Sequence, residues 1–434
     1  MFVMRRARIE DVPTLLKLAR MVHFINLPAD KDIISDKIQR SRESFGRAAA
    51  IAGGQSLAES KRTTESSEQR AESANGKRSG GGGAGRRSVE TGIAAVTSRS
   101  DLFMFVLEDV DSGGVLGTSQ IIAHMGGPGA PNVSLHLSTK EMFSTSLQFG
   151  TKHVVAKLVL DESGPTEIGG LILQPSYRGH KLKLGRFLSL VRFHAMGLYR
   201  PLFSDRVLAE MMAPITLDGR STLWEYLGRR FINLSYTEAD RFCQYSKEFM
   251  TSLLPREEIY LTLLPPEARA VVGQVGPETV PARRMLEKLG FAYLDKIDPF
   301  DGGPHLEAKT DEITIVRNTR TLELGEAASA AACDGHGIVS VIDADGEFRS
   351  LETAYCEERG VVRVMKQAMK AIRIEPGARV GLTPIAAPNG GSQKRTRGGA
   401  SVNGKAPKGA RGGKTKRSRK AATATDIGGA GGEA

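Results

Sequence analysis

The sequence predicts a mixed α/β (α+β) fold, and three observations predict it. Short apolar strand segments alternate with amphipathic helical ones along most of the chain. One passage runs from strand through a basic turn into a helix between residues 167 and 193. A helix–glycine–aromatic passage occurs twice, Leu223–Gly228 before Phe231 and Met285–Gly290 before Phe291, with each glycine expected to cap its helix and lead into a strand. That echo hints at two related lobes, and residues 330–385 add a small β-rich end piece.

Taken in order, residues 2–9 read as a strand and Asp11 as the cap of a helix with Pro13 in its first turn. A second helix is expected over Ile33–Phe45. From Gly46 to Ser98 the periodicity disappears, with glycines at every position from 80 to 83, which is the composition of a disordered insertion. Leu102–Leu107 resumes as a strand and pairs with Val115–Ala123 across the turn Asp111–Gly114. Val154–Leu160 and Glu167–Leu173 follow as strands, then a helix from Gly185 with Phe187, Leu188, Leu190, Val191 and Phe193 as its apolar face, then a strand at Val207–Met212. Ile338–Ile342 and Val380–Ile385 are the strands of the end piece, and Pro384 makes the second an edge strand.

Composition bounds the function classes. The chain has 434 residues, of which about 330 remain once 46–98 and 386–434 are set aside as poor in large apolar residues. The net charge of +11 suggests nucleic acid, yet eleven basic and no acidic residues fall between Gly391 and Lys420. The body is thus near neutral and the basicity belongs to a tail, either a solubilising end or a non-specific contact for phosphate polymers. Three cysteines, Cys243, Cys333 and Cys356, give neither a disulfide framework nor a metal-ligand spacing and are expected to be buried structural thiols. The first twenty residues carry no signal-peptide core, and no apolar run approaches the roughly 18 residues that span a bilayer. The expectation is a cytoplasmic protein without a membrane partner or a bound metal.

The passage with the most chemistry is Arg178-Gly179-His180, then Lys183-Leu184-Gly185-Arg186 at a helix start. A glycine-bearing turn aims backbone N–H groups outward, and the helix N-terminus adds its positive dipole end. Together they can hold a pyrophosphate, with Arg178, Lys183 and Arg186 supplying charge-assisted contacts. The spacing is neither of the two common phosphate-binding patterns, G-x-x-x-x-G-K-[ST] or G-x-G-x-x-G. It resembles the acyl-CoA loop of the GNAT superfamily, (Q/R)-x-x-G-x-(G/A), with Lys183 standing where the first glycine of that pattern falls, two residues before Gly185.

Further stretches resemble the arginine N-succinyltransferase family. They include Leu27-Pro28-Ala29, Phe105–Asp109, Val207–Met211, Trp224-x-x-Leu227-Gly228-Arg229-Arg230-Phe231, Ala239-Asp240-x-Phe242, Val272–Val275 and Phe300–Pro304 followed by Leu306-Glu307, in matching order. The resemblance implies a GNAT fold in two lobes, residues 1–234 and 235–325, with a small C-terminal piece at 326–385 and the tail at 386–434. It implies a CoA-dependent N-acyltransferase that binds succinyl-CoA as co-substrate, with no permanent cofactor, and succinylates the α-amine of L-arginine in arginine catabolism. Partner subunits, hence an oligomer, are implied too. Leu171 matches the family's succinyl-CoA contact, and the backbone around Leu171, Ile172 and Leu173 would polarise the thioester carbonyl.

One departure bears on mechanism. The family carries V-H-P, whose histidine is taken as the proton donor, where this chain reads Val275-Gly276-Pro277. Candidates for the vacant role are Glu210, as base or amine anchor, and His305, just beyond the 300–304 turn. Asp301 is a candidate partner for the substrate guanidinium, against the alternative of a solvent-facing turn aspartate. The competing readings are an N-acyltransferase with a different amine or acyl donor, and a catalytically silent module that binds CoA or arginine.

Overall fold

A computed structural model describes residues 1–21, 27–56, 58–59, 100–243 and 245–387. The chain divides into one unit, Met1–Gly391, and a second, Ser392–Ala434, which lies outside the described residues together with most of the expected insertion. Within the first unit the strands are β1 (Phe2–Arg6), β2 (Leu102–Asp109), β3 (Gly114–Ile122), β4 (Asn132–Ser144), β5 (Phe149–Asp161), β6 (Thr166–Leu173), β7 (Arg206–Glu210), β8 (Ile259–Tyr260), β9 (Ala292–Ile297) and β10 (Pro304–Lys309). The end piece adds β11 (Arg320–Leu324), β12 (Gly335–Ile342), β13 (Phe348–Glu358), β14 (Val361–Val364) and β15 (Arg379–Pro384). The helices are α1 (Val12–Arg20), α2 (Lys31–Ala52), α3 (Leu184–Leu198), α4 (Tyr236–Cys243), α5 (Glu248–Leu253), α6 (Pro266–Val271), α7 (Val280–Lys288), α8 (Thr314–Asn318) and α9 (Lys366–Ile372).

The strands join in the order β12-β15-β11-β14-β13-β1-β2-β3-β6-β7-β10-β9-β4-β5-β8. A further pairing of β12 with β13 closes the first five into a small barrel around Val339, Leu351, Val362, Val364 and Leu382, with α9 packed on it. The remaining strands form two stretches of sheet that meet at β7 and β10. On one side, α3 lays its buried face, Phe187, Leu188, Val191 and Phe193, against β2, β3 and β6. On the other, β4 and β5 pack under α4, α5 and Trp224, which stacks on Phe300 with ring centroids 4.7 Å apart. Among the described residues no helix is long and apolar enough to cross a membrane.

Several expectations need correction. Helix α2 runs seven residues past Phe45, to Ala52, because Phe45 and Ala48 lie on its buried side and Gly53 supplies the end. Asp11 does not cap α1; its carboxylate turns back to Arg5 at 2.8 Å from both terminal nitrogens and to the Arg8 N–H at 2.8 Å. The long hairpin β4–β5 begins well before the single strand expected at 154, and its outer half is exposed. Gly228 is helical rather than a cap. It sits in a π turn, Trp224–Gly228, where an added Cβ would stand 2.2 Å from the Trp224 ring. No strand starts at Phe231, which is exposed, whereas Gly290 has the expected left-handed φ of +101° and β9 follows it. Strand β15 is flanked by β11 and β12, so it is not an edge; Pro384 is tolerated because it is the terminal residue. The three cysteines are free and partly buried rather than buried.

Candidate active site

Strands β6 and β7 are parallel neighbours over two residue pairs only, Thr166 with Val207 and Glu167 with Leu208. Beyond them no further β6–β7 pairs form among the described residues, so the β7-facing edge of Ile168–Leu173 is left unpaired while its other edge stays on β3. A bulge falls in the same stretch. Three residue steps of β6, Gly169 to Ile172, oppose two steps of β3, and Gly170 takes a φ of +58° there. A Cβ at Gly170 would come within 2.9 Å of the Gln120 side chain, so glycine suits both the dihedral and the space. Leu171, Ile172 and Leu173 occupy the free length of this strand, with Ile172 buried and the others packed partly into the core.

The turn that follows has the form the sequence suggested. Gly179 has a φ of +72°, and Lys183 adopts a left-handed conformation (φ 52°, ψ 46°) immediately before α3. Lysine therefore takes up a backbone shape that glycine adopts at less cost, at the position where the acyl-CoA pattern has glycine. The N–H groups of Leu184 and Gly185 have no backbone partner among the described residues and point out of the helix start. His180 is locked into the turn: its Nδ1 accepts the Leu182 N–H at 3.2 Å and its ring meets Phe2 edge-on. Of the three expected phosphate cations, Arg186 is committed elsewhere, to the Glu352 carboxylate and to the Ala386 carbonyl at 2.8 Å. Arg178 is held only by an exposed pair with Glu278 at 2.9 Å, and Lys183 makes no ion pair among the described residues. An exposed pair of this kind contributes about 0–1 kcal/mol and is easily exchanged for a phosphate.

Two residues past the last β6–β7 pair stands Glu210, the final residue of β7. Directly across the β7–β10 ladder is His305, whose Nε2 lies 3.8 Å from Glu210 Oε1. His305 is 1 % exposed, in a strand rather than a turn, and Nε2 has no hydrogen-bond partner among the described residues. Asn132 donates to Glu210 Oε1 at 3.2 Å. Asp298 completes the group; atoms of Glu210, Asp298 and His305 lie within 4.8 Å of one another, a spacing that one cation could bridge. Burial, then the neighbouring Asp301 and Glu210 carboxylates, pushes the Asp298 pKa up to about 7. Glu210, Asn132 and Asp298, together with Lys247, Cys243 and Phe300, line a small cavity of ≈ 20 Å³, room for about one water. Burial pushes the Cys243 thiol up to about 12, so it is not a thiolate nucleophile.

Asp301 is buried and faces the backbone. One oxygen accepts the Gly303 N–H at 2.7 Å and the other the Ala213 N–H at 3.0 Å, which ties the 298–303 loop to the chain leaving β7. This corrects the solvent-facing expectation, since Asp301 is only 3 % exposed. Gly276 lies on the same stretch of chain: its N–H donates to the Met212 carbonyl at 3.0 Å, and a Cβ there would stand 3.3 Å from the Ala213 oxygen. The sequence reading missed Asn132, Lys247 and Asp298. Only Asp298 left a signal, as the first carboxylate of Asp298-Pro299-Phe300-Asp301.

A family profile described as arginine N-succinyltransferase beta subunit matches residues 86–315. An arginine N-succinyltransferase from Photorhabdus laumondii is 32% identical over 302 residues, 69% of this chain and 87% of that one. Another, from Enterobacter sp., is 36% identical over 245 residues, covering 56% and 70%. Among solved structures, arginine/ornithine succinyltransferase subunit AI from Pseudomonas aeruginosa superposes with a TM-score of 0.64 at 25% identity, over 88% of this chain and 98% of that one. The protein is an acyltransferase. More narrowly, it belongs to the arginine N-succinyltransferase family.

Proposed function

We propose that this enzyme transfers the succinyl group of succinyl-CoA to the α-amine of L-arginine, with Glu210 in the proton-transfer role. The observation that carries the reading is the position of Glu210, at the end of β7 two residues past the last β6–β7 pair and beside a buried histidine whose Nε2 has no hydrogen-bond partner among the described residues. The fold that goes with it is a GNAT acyltransferase, in two lobes with a small β-rich end piece. In that reading the turn at 178–185 takes the pyrophosphate on the N–H groups of Leu184 and Gly185, with Lys183 and Arg178 adding charge. The free backbone of Ile168–Leu173 carries the pantetheine arm and leads the thioester to the acceptor.

The chemistry then needs little. The α-ammonium gives a proton to the Glu210 carboxylate, the free amine adds to the thioester carbonyl, and free N–H groups of β6 bind the developing oxyanion. The C–S bond breaks as the amide forms, and the proton shed by nitrogen passes to the thiolate of CoA. Glu210 is the catalytic member because its side chain is 18% exposed, while that of His305 is sealed at 2%. His305 is a positioning residue whose ring lies against the carboxylate.

The test is thiol release from succinyl-CoA by the purified protein, with L-arginine as acceptor and acetyl-CoA and L-ornithine as controls. Release that requires succinyl-CoA and L-arginine together is the expected result. Ornithine is more than a control, since the Pseudomonas relative is described as acting on arginine and ornithine. That relative is also called a subunit, which supports assembly into an oligomer. Failure of every donor–acceptor pair, with CoA still bound, would contradict the reading and favour a silent binding module.

A further inference from the structure

Where the barrel meets β1, a cavity of ≈ 100 Å³ shares no lining residue with the one at Glu210, and three guanidiniums line it, those of Arg8, Arg349 and Arg373. The chain brings more cations here than anions to meet them. Glu347 is shared between Arg6 and Arg8, the second at 2.9 Å. Asp11 and Glu108 are taken by Arg5. Asp343, on the exposed rim, spends one oxygen on the N–H groups of Asp345 and Glu347. Arg349 is left with the Ala371 carbonyl at 3.5 Å and a Glu108 oxygen at 3.9 Å, and its Nε has no hydrogen-bond partner among the described residues. Yet it is only 6 % exposed, and a buried charge with unused donors is costly unless an anion takes them. Arg373 makes neither an ion pair nor a side-chain hydrogen bond among the described residues. It caps α9 in a left-handed conformation (φ 59°, ψ 54°) that glycine adopts at less cost. Burial first, then Arg373, lowers the Arg349 pKa; Arg8 and Arg5 add to the effect and Glu108 opposes it.

We infer that this cavity binds a small oxyanion, the carboxylate or phosphate group of a solute, between the Arg349 and Arg373 guanidiniums with Arg8 at its edge. The volume has room for several waters, hence for a group of that size. A guanidinium presents its N–H donors as a planar fork that matches the paired oxygens of either group. Arg8 follows β1, in the main sheet, whereas Arg349 lies on β13 and Arg373 ends α9, both parts of the barrel. The bound anion thus ties the barrel to the sheet. This site is independent of the acyl-transfer reading.

The test is calorimetry and thermal unfolding of the full chain with sodium phosphate and with sodium succinate, against sodium chloride at matched ionic strength. Saturable binding of at least one oxyanion is expected, with a rise in Tm that chloride does not reproduce. The tighter binder of the two tells a phosphate source from a carboxylate one. Arg373→Gln, at an exposed position where the fold should tolerate it, should weaken that affinity by about tenfold or more. Arg349→Lys keeps the charge but loses the fork and should weaken it as well. Lys183→Gly should leave it unchanged, which separates this site from phosphate held at the turn before α3. No saturable binding in the wild type would overturn the assignment, and so would an affinity that R373Q leaves intact.

Discussion

Under the acyl-transfer proposal the site has a donor side, at β6 and the turn before α3, and an acceptor side, around Glu210, and the two are built from different materials. The donor side is mostly backbone: a strand with one unpaired edge, a bulge at Gly170, a left-handed Lys183 and the first N–H groups of α3. The acceptor side is mostly side chain: Glu210, His305, Asp298, Asn132 and Lys247, drawn from β7, β10, the 298–303 loop, β4 and the start of α5. A backbone site survives a change of residue if the new one can adopt the same dihedrals. A side-chain site does not, because each group brings its own charge and pKa. On the resemblance read from the sequence, Lys183 can therefore stand where the pattern has glycine, whereas Gly276, where a histidine is expected, removes that residue's proton donor.

The contrast predicts where pH should act. Asp298 and Asp301 are raised from their ordinary 3.8 to about 7 and about 6, by burial first. Between about pH 4 and pH 7 the folded chain keeps protons that the unfolded chain releases, so these groups lower stability as pH rises through that window. Asp298→Asn, which stays neutral, should therefore gain on the wild type from pH 4 to pH 7, by roughly a few kcal/mol. Denaturant unfolding of both proteins at several pH values checks this, and a pH-independent difference would break the comparison on the acceptor side.

A smaller effect is expected on the donor side. Lys183→Gly relieves a left-handed lysine and should stabilise the fold by about 1 kcal/mol. The KM for succinyl-CoA should shift by no more than about tenfold, since one exposed cation is lost and the N–H cradle remains. A destabilised variant, or one that no longer binds CoA, would show that the lysine side chain builds the site and not the backbone beneath it.

Legibility in the sequence follows the same division. The donor turn was readable because its parts are contiguous: strand, glycine, basic residues and apolar helix face lie within about thirty residues. Glu210 and His305 stood out singly, as a carboxylate in a strand and a histidine after a turn, but their pairing depends on the β7–β10 register, which no local pattern encodes. Lys247 and Asn132 looked like ordinary surface polar residues. In the fold, β4 was missed because the outer half of its hairpin faces solvent on both sides and lacks alternation. Gly228 misled because a glycine after leucine reads as a helix cap, whereas here it makes room for the Trp224 ring.

The proposed role of Glu210 is to take the α-ammonium proton, a different step from the proton donation that the family resemblance expects of a histidine where this chain has Gly276. It is tested by the thiol-release rate of Glu210→Gln measured beside Gly276→His, with saturating succinyl-CoA and L-arginine. A histidine at 276 needs only a small adjustment against the Ala213 oxygen, 3.3 Å from the new Cβ, so the second variant should fold. The account predicts that E210Q loses roughly 10²–10⁴-fold in kcat, the range of general acid–base catalysis, while G276H changes by less than about tenfold. A G276H enzyme accelerated about a hundredfold beside an E210Q enzyme near wild-type rate would mean that the proton-transfer role stands vacant in the natural chain, and would contradict it.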